Sequence, residues 1–582
     1  MITRPATNQE LNKNSYNLRI FLLMLVLTLF LILIGIRLFN LQILSHKYYK
    51  QLAANQHGLS TTIEPQRGEI YFTPVQPNTR PLLVATNLTK NMVYAIPKEI
   101  KDKHEAAVRL APLLNFLSTF DLEAKLSGVS YVPLQKQLTD EVSAKIKALK
   151  IPGIYLEAQD IRFYPEKNLA SQVIGFLGYK GDQRVGQYGV EGQFQTELAG
   201  DKGNLGTDSN QSGSWISLSN RSLVPARDGD DIYLTIDPTI QYKAQQVLAE
   251  AVQKHGASGG SVVILNPKNG AVMAMASVPD FDLNNYGKVP DPATYSNKVL
   301  MDPYEPGSVF KGITIAAAID SGKVTPETTY DNTGSVQVDD KLIKNSDPTT
   351  FLGLQNMITM LNESLNTGAY FAEQEIGNDS FKKYVEKFGF GKATGFELPE
   401  IAGNLKNLEQ RGNVFFATAS FGQGITATPL QMVQGYSAIA NGGKLVKPYI
   451  VAKVVHPDGT EDVTKPSGGT QVISSKTAST VSAMLVDVVE NGHGKKAAVK
   501  GYYLAGKTGT AQVPFANKSG YDPNKNIGSF IGFGPVDNPQ FLMMVRVDNP
   551  RDVKFAETTA APSFGEIAGF ILNYLQIAPS RQ

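Results

Sequence analysis

Apolar residues run almost unbroken from 20 to 36, interrupted only by Thr28 and Gly35. At about 1.5 Å of rise per residue this is short for a bilayer, but Leu18, Leu38 and Phe39 extend it to about 20 residues. The pattern predicts one membrane-spanning anchor within 20–40, after a short tail of 1–19. A cleaved signal peptide is the rival reading. No small-residue cleavage site follows, since the chain continues Arg37-Leu-Phe-Asn-Leu-Gln-Ile-Leu. Charge does not orient the span: Arg4, Lys13 and Arg19 precede it, and Arg37, Lys47 and Lys50 follow.

From 41 to 227 the pattern is mixed α+β. Short strand-like pieces at 82–85 and 92–96 stand beside a helical piece at 140–149, and no catalytic constellation appears. A shift comes at Asp228-Gly-Asp-Asp231, followed by a strand-like stretch at 232–236 and a helix from 238 to about 255. Then the pattern becomes sheet-like at intervals. Segments 261–265 and 271–276 flank Asn266-Pro-Lys-Asn-Gly270, whose Asn-Gly pair is a strong hairpin signal. Further strands are expected at 502–513, 528–534 and 541–548, and a last helix at 564–575. Helical periodicity fills the interval between the second and third strands. Five antiparallel strands in two sequence blocks around a helical insertion describe an α/β sandwich over 228–582.

Composition narrows the options. A chain of 582 residues, 42% apolar and 19% charged, is an ordinary globular sequence too long for one core. A net charge of +2 supplies no field for nucleic acid. The absence of cysteine excludes disulfides, thiol catalysis and thiolate metal sites.

Three short motifs bear chemistry. In Tyr304-Glu-Pro-Gly-Ser308-Val-Phe-Lys311, Pro306-Gly307 is a turn signal, and Val309, Phe310 and Ile313 open a buried helix. Ser308 then sits at a helix N-terminus, which favours negative charge, with Lys311 on the same face. A hydroxyl needs a base to become a nucleophile, and a lysine serves once burial and a neighbouring cation depress its pKa. Alone, Ser-x-x-Lys is as well explained by a capping serine and a solvated lysine. Ser364-Leu365-Asn366 offers a hydroxyl and a carboxamide for one wall of a cleft, and is uninformative in isolation. Lys507-Thr508-Gly509-Thr510 lies on the expected third strand. Period-2 alternation puts Thr508 and Thr510 on one face, and Gly509 removes a side chain where another backbone could approach. The same alternation points Lys507 away from the threonines, so it must reach the cleft around a twisted strand. A solvated edge strand is the bland alternative. Order and spacing decide: the three motifs follow one another about 55 and about 140 residues apart, on a helix start, a helical insertion and an inner strand.

In this set the chain resembles the class B penicillin-binding proteins. The likeness extends to Leu234-Thr-Ile-Asp-Pro-Thr-Ile-Gln241, Ser258-Gly-Gly-Ser-Val-Val263, Phe388-Gly-Phe-Gly391, Thr394-Gly395, Phe421-Gly-Gln-Gly424 and Gly506-Lys-Thr-Gly-Thr-Ala-Gln512. Arg67-Gly68 and Gly186-Gln-Tyr-Gly-Val-Glu191 resemble the family's non-catalytic pedestal, or dimerisation domain, expected here at 41–227. The family usually carries an Asp-Arg pair where Phe72-Thr73 stand, which weakens the expectation of a pedestal ion-pair network.

The resemblance implies a β-lactamase-like transpeptidase domain at 228–582. It also implies acylation by the D-Ala-D-Ala end of a peptidoglycan stem peptide, transfer to an amine, and covalent trapping by β-lactams. By the same likeness Ser308 attacks and Lys311 takes its proton. Ser364 relays protons, with Lys507 helping to depress Lys311, and Asn366 positions the donor amide. Thr508 and Thr510, with Gly509 between them, hold the terminal carboxylate, and the N–H groups of Ser308 and Thr510 form the oxyanion hole. The catalytic part is then expected outside the cytoplasmic membrane, with a polytopic glycosyltransferase and other cell-wall or division proteins as partners. No metal, organic cofactor or nucleic acid is implied. Tyr-Glu-Pro-Gly and Asn366 lean toward the septal type over an elongation enzyme. Rival classes are a Ser–His–Asp hydrolase using His493, a β-lactamase, a β-lactam sensor and an inactive scaffold. The tail is too short for a signalling domain, a β-lactamase needs no pedestal, and a scaffold need not keep Ser308, Lys311 and Lys507. Gly492-His-Gly-Lys-Lys496 lacks the spacing of a phosphate loop.

Overall fold

The computed structural model describes residues 9–45, 58–114, 118–128, 130–181, 183–208, 222–515, 517–518, 520–553 and 555–581. They gather into two compact units, drawn from 1–65 with 201–227 and from 66–200 with 228–582. The first holds the helix Gln9–Phe39, continued by a wider turn at Asn40–Leu44. It also holds an antiparallel sheet of Gly58–Ile63, Gly203–Asp208 and Ser222–Val224. The 26-residue stretch Arg19–Leu44 is long and apolar enough to cross a membrane, at roughly 39 Å. Its large apolar side chains are exposed along its length, Phe21 and Leu31 at 65% each.

In the second unit, the strand expected at 232–236 is Asp231–Leu234. It runs parallel to Ile70–Phe72 and antiparallel to Val451–Val455, and so joins early and late segments of the chain in one seven-stranded sheet. Tyr71 and Tyr233, opposite one another, stack with ring centroids 4.6 Å apart. The pieces expected at 82–85 and 92–96 are one continuous strand, Leu82–Ala95. Its polar middle, Thr89-Lys-Asn91, breaks the apolar pattern, yet pairing of Thr86–Ala95 with Ile154–Phe163 carries it through.

A buried ion-pair network is present in this region after all. Glu191, with no exposed surface, accepts from Arg67 Nε and Nη2 at 2.8 and 2.5 Å on Oε2, and from Arg162 Nε at 2.6 Å on Oε1. Burial pushes the Glu191 carboxyl up, but Arg162 and Arg67 outweigh it and hold the group below the ordinary glutamate value. Phe72, in the place of a family charge, fills the core instead. The charges come from residues distant in sequence.

The second sheet is antiparallel, in the order Val272–Val278, Gly259–Leu265, Phe541–Asp548, Tyr521–Gly534, Ala505–Pro514. Alternation sorts its side chains between two cores. Val262, Ile264, Met543 and Val545 pack with Ile240, Leu248, Phe564 and Ile571 of the helices Pro238–Lys254 and Ala560–Tyr574. Val263, Leu265, Leu542 and Met544 face the helical insertion, with Phe310, Ile313, Val433 and Tyr436. Both faces are covered, so Phe541–Asp548 is buried at every position. That sandwich fixes the helix Lys311–Asp320 against the sheet; beside its start lies Ala505–Pro514, expected as an inner strand but found at the sheet's edge, where Ala505–Gly509 are nonetheless buried.

Candidate active site

Ser308 lies in a single tight turn, Gly307–Phe310, that runs straight into the helix Lys311–Asp320. Gly307 has φ +60°, the left-handed conformation that glycine adopts without penalty, and its N–H donates to Gly422 O at 3.0 Å. Tyr436 Oη donates to Val309 O at 2.5 Å, and Val309 and Phe310 are fully buried. Ser308 is left half-buried at the surface of a rigid turn.

Lys311 has no exposed surface. Its Nζ donates to Ser364 O at 2.5 Å, Asn366 Oδ1 at 2.8 Å and Ser364 Oγ at 3.2 Å. Burial first, and the charge of Lys507 second, hold its pKa well below the ordinary lysine value. The second motif is shaped to receive this amine. Ser364 takes φ +54° between the helices Met357–Asn362 and Asn366–Ile376, a conformation that costs a non-glycine residue about 1–2 kcal/mol. Both its carbonyl and its hydroxyl meet Lys311. Asn366 is clamped from both ends, accepting from Lys311 and donating Nδ2–H to Lys344 O at 2.8 Å.

Lys507 is likewise fully buried, and burial pushes its pKa down to about 7, against the raising effect of Glu363. The conflict between strand alternation and a cleft-facing lysine is met locally. Its Nζ turns along the strand to donate to Thr508 O at 3.2 Å and Thr508 Oγ1 at 3.4 Å. Gly509 lies hard against the nucleophile turn: a Cβ there would stand 2.8 Å from Val309 Cγ1 and 3.1 Å from Val309 N. A Cβ on Gly307 would likewise stand 3.2 Å from Thr510 O. Thr510 Oγ1 accepts from Ala556 N at 3.2 Å. The Ser308 turn, the Ser364 kink and the Lys507 strand therefore surround one place, and Lys311 donates to the second motif, not to Ser308.

His493 does not join Ser308. Its Nδ1 is 2.8 Å from Glu557 Oε2, its Nε2 is 3.5 Å from Glu363 Oε2, and its N–H donates to Asn362 O at 3.2 Å. The glycines around it close the helix Ser475–Glu490, Gly492 and Gly494 both donating to Val488 O.

Two supporting groups escaped the sequence reading. Glu305 accepts from Gly424 N at 3.0 Å and Tyr521 Oη at 2.9 Å, tying the segment just before the nucleophile to a loop and to the strand Tyr521–Gly534. Arg546 bonds Asp548 at 2.6 Å and Asp302 at 2.8 Å while its guanidinium lies 4.5 Å from the Tyr304 ring centroid. The signal was available: Arg546 and Asp548 share one face of an otherwise apolar strand, where an unpaired charge would be costly.

The sequence matches the penicillin binding protein transpeptidase domain over residues 260–569, and the penicillin-binding protein dimerisation domain over 62–234. The chain belongs to the class B penicillin-binding proteins, the family of serine-type peptidoglycan D,D-transpeptidases. It is 34% identical to stage V sporulation protein D of Bacillus subtilis over 97% of this chain and 86% of that protein. With the probable peptidoglycan D,D-transpeptidase PenA of Neisseria meningitidis it shares 29% identity, over 99% of this chain and 96% of that one. Among solved structures, penicillin binding protein 3 of Mycobacterium tuberculosis, complexed with aztreonam, superposes with a TM-score of 0.69 at 27% identity. That match covers 89% of this chain and 98% of the other.

Proposed function

We propose that Ser308 is the residue acylated by the D-Ala-D-Ala end of a stem peptide, with Lys311 as its base. The observation that carries this is the buried Lys311 amine, depressed by burial and by Lys507, and held by Ser364 and Asn366. A neutral amine keeps two N–H donors for those acceptors and frees a lone pair for the Ser308 proton. Ser308 Oγ then bonds to the penultimate carbonyl carbon, and the oxyanion is stabilised by the N–H groups of Ser308 and Thr510. The C–N bond to terminal D-Ala breaks, its nitrogen taking a proton through Ser364. An amine of a neighbouring strand attacks the ester, forms the cross-link and restores the Ser308 hydroxyl. Asn366 orients the donor amide, and Thr508 and Thr510, on either side of Gly509, hold the terminal carboxylate. Lys507 keeps Lys311 deprotonated and supports the Ser364 relay. β-Lactams acylate the same oxygen.

The stretch Arg19–Leu44 is assigned as a single-pass anchor in the cytoplasmic membrane, with the catalytic part outside it, where the substrate is. A polytopic peptidoglycan glycosyltransferase and other division proteins are the partners this arrangement suits. Tyr304-Glu-Pro-Gly307 and Asn366 favour a septal role. The test is exchange of a labelled D-amino acid into a pentapeptide donor by the purified full chain. Wild type incorporates label and Ser308→Ala does not; incorporation by Ser308→Ala would overturn the assignment.

A further inference from the structure

The helix that opens with Asn366 carries Glu373 roughly 10 Å further along. Glu373 is 1% exposed, and its Oε1 is buried without any hydrogen-bond partner. No described residue donates a hydrogen bond to its carboxylate, and burial alone pushes its pKa up to about 7. It lines a cavity of about 530 Å³ with Tyr370, Asn378, Ser380 and Asn413, and among the described residues no lysine or arginine borders that space. None of these residues belongs to the three motifs.

Another part of the cavity's lining has the reverse need. The helices Asn378–Lys387 and Asn413–Ser420 both begin there after a glycine; Asp339 Oδ2 accepts from Val414 N at 2.9 Å at the second, and the first has no side-chain cap. The first-turn N–H groups of Asn378, Asp379 and Ser380 find no acceptor among the described residues. Asp379, the cavity's second carboxylate, is exposed. A buried carboxylate without a donor calls for a cation, and free helix N-terminal amides call for an anion.

We propose that this cavity binds a zwitterion, a free amino acid or a short peptide, with its ammonium group on Glu373 and its carboxylate on the first-turn N–H groups of the helix Asn378–Lys387. The volume suits an amino acid or a dipeptide, and both charges would be met by groups of the protein. The inference stands apart from the roles given to Ser308 and Lys311, because it uses neither.

The test is calorimetric titration of the full chain, in detergent at pH 8, with L-alanyl-L-alanine, its N-acetyl derivative and its methyl ester. The free dipeptide should bind saturably at one site, and each blocked form, lacking one charge, at least tenfold more weakly. Glu373→Gln, and Ser380→Trp at the exposed mouth, should each weaken the dipeptide tenfold or more while fluorescent-penicillin labelling stays at the wild-type level. Should Glu373→Gln fail to fold, Ser380→Trp decides. Absence of saturable binding, equal binding of the N-acetyl form, or undiminished binding by a folded variant would overturn the proposal.

Discussion

Replacing Lys507 by methionine keeps the length of the side chain and removes the buried charge. In the folded protein this amine titrates near 7 because burial disfavours its ammonium form, whereas an unfolded lysine titrates near 10.5. The unfolded chain therefore binds more protons between these values, and this group's contribution to stability rises with pH across that window. At pH 7 the folded state carries a penalty of about 4 kcal/mol, which falls to about 2 kcal/mol at pH 9 and nearly vanishes by about 10.5. Lys507→Met lacks the penalty at every pH. Its thermal midpoint should exceed that of wild type at pH 7, and the gap should shrink by about 2 kcal/mol equivalent at pH 9. The assay is thermal unfolding of both proteins followed by circular dichroism at the two pH values. Acylation by a fluorescent penicillin should be severely reduced, and the pH midpoint of any residual rate should move upward, because Lys311 loses a neighbouring positive charge. A stability gap of the same size at both pH values, or a variant less stable than wild type at both, would refute the reasoning.

Three further outcomes are expected. Gly509→Ala places a methyl against Val309 and Ser529, so penicillin acylation should slow at least tenfold, at a stability cost of about 1–3 kcal/mol; an unchanged acylation rate would contradict the close approach. Glu191→Ala strands two buried guanidinium groups, and should cost about 3–5 kcal/mol in denaturant unfolding while leaving any folded fraction able to acylate. Ser364→Gly relieves the left-handed backbone and should raise stability by up to about 1 kcal/mol, yet lower the acylation rate by removing a hydroxyl from Lys311.

Much of the catalytic fold was legible because its signals are local. The strands Gly259–Leu265, Val272–Val278, Tyr521–Gly534 and Phe541–Asp548 are apolar runs bounded by turn residues, and each lies within a few residues of its sequence reading apart from the early start of the third. What escaped depends on partners far along the chain. Nothing near Asp231–Leu234 announces a parallel neighbour at Ile70–Phe72, or an antiparallel one at Val451–Val455. Leu82–Ala95 was divided because Thr89-Lys-Asn91 lowers local strand preference, which long-range pairing overrides. The small hairpin Ser335–Val338 with Lys341–Lys344, which brings Lys344 O to Asn366, is too short and too polar to read from pattern.

The same division holds at the site. Residue types and order pointed to Ser308, Lys311, Ser364, Asn366 and the Lys507–Thr510 strand. The positive φ of Ser364, and the turning of Lys507 onto its own neighbour, are tertiary consequences that no short motif encodes. In the sequence Glu191 is only one residue of the string Gly186–Glu191. Its meaning came from Arg67 and Arg162, which are remote in sequence.

The most direct measurement of all is peptide mapping by mass spectrometry after brief exposure of the full chain to a fluorescent penicillin. One adduct is expected, on the hydroxyl of Ser308, absent from Ser308→Ala and formed far more slowly in Lys311→Met. An adduct on another residue, or one that survives in Ser308→Ala, would contradict the assignment of the nucleophile.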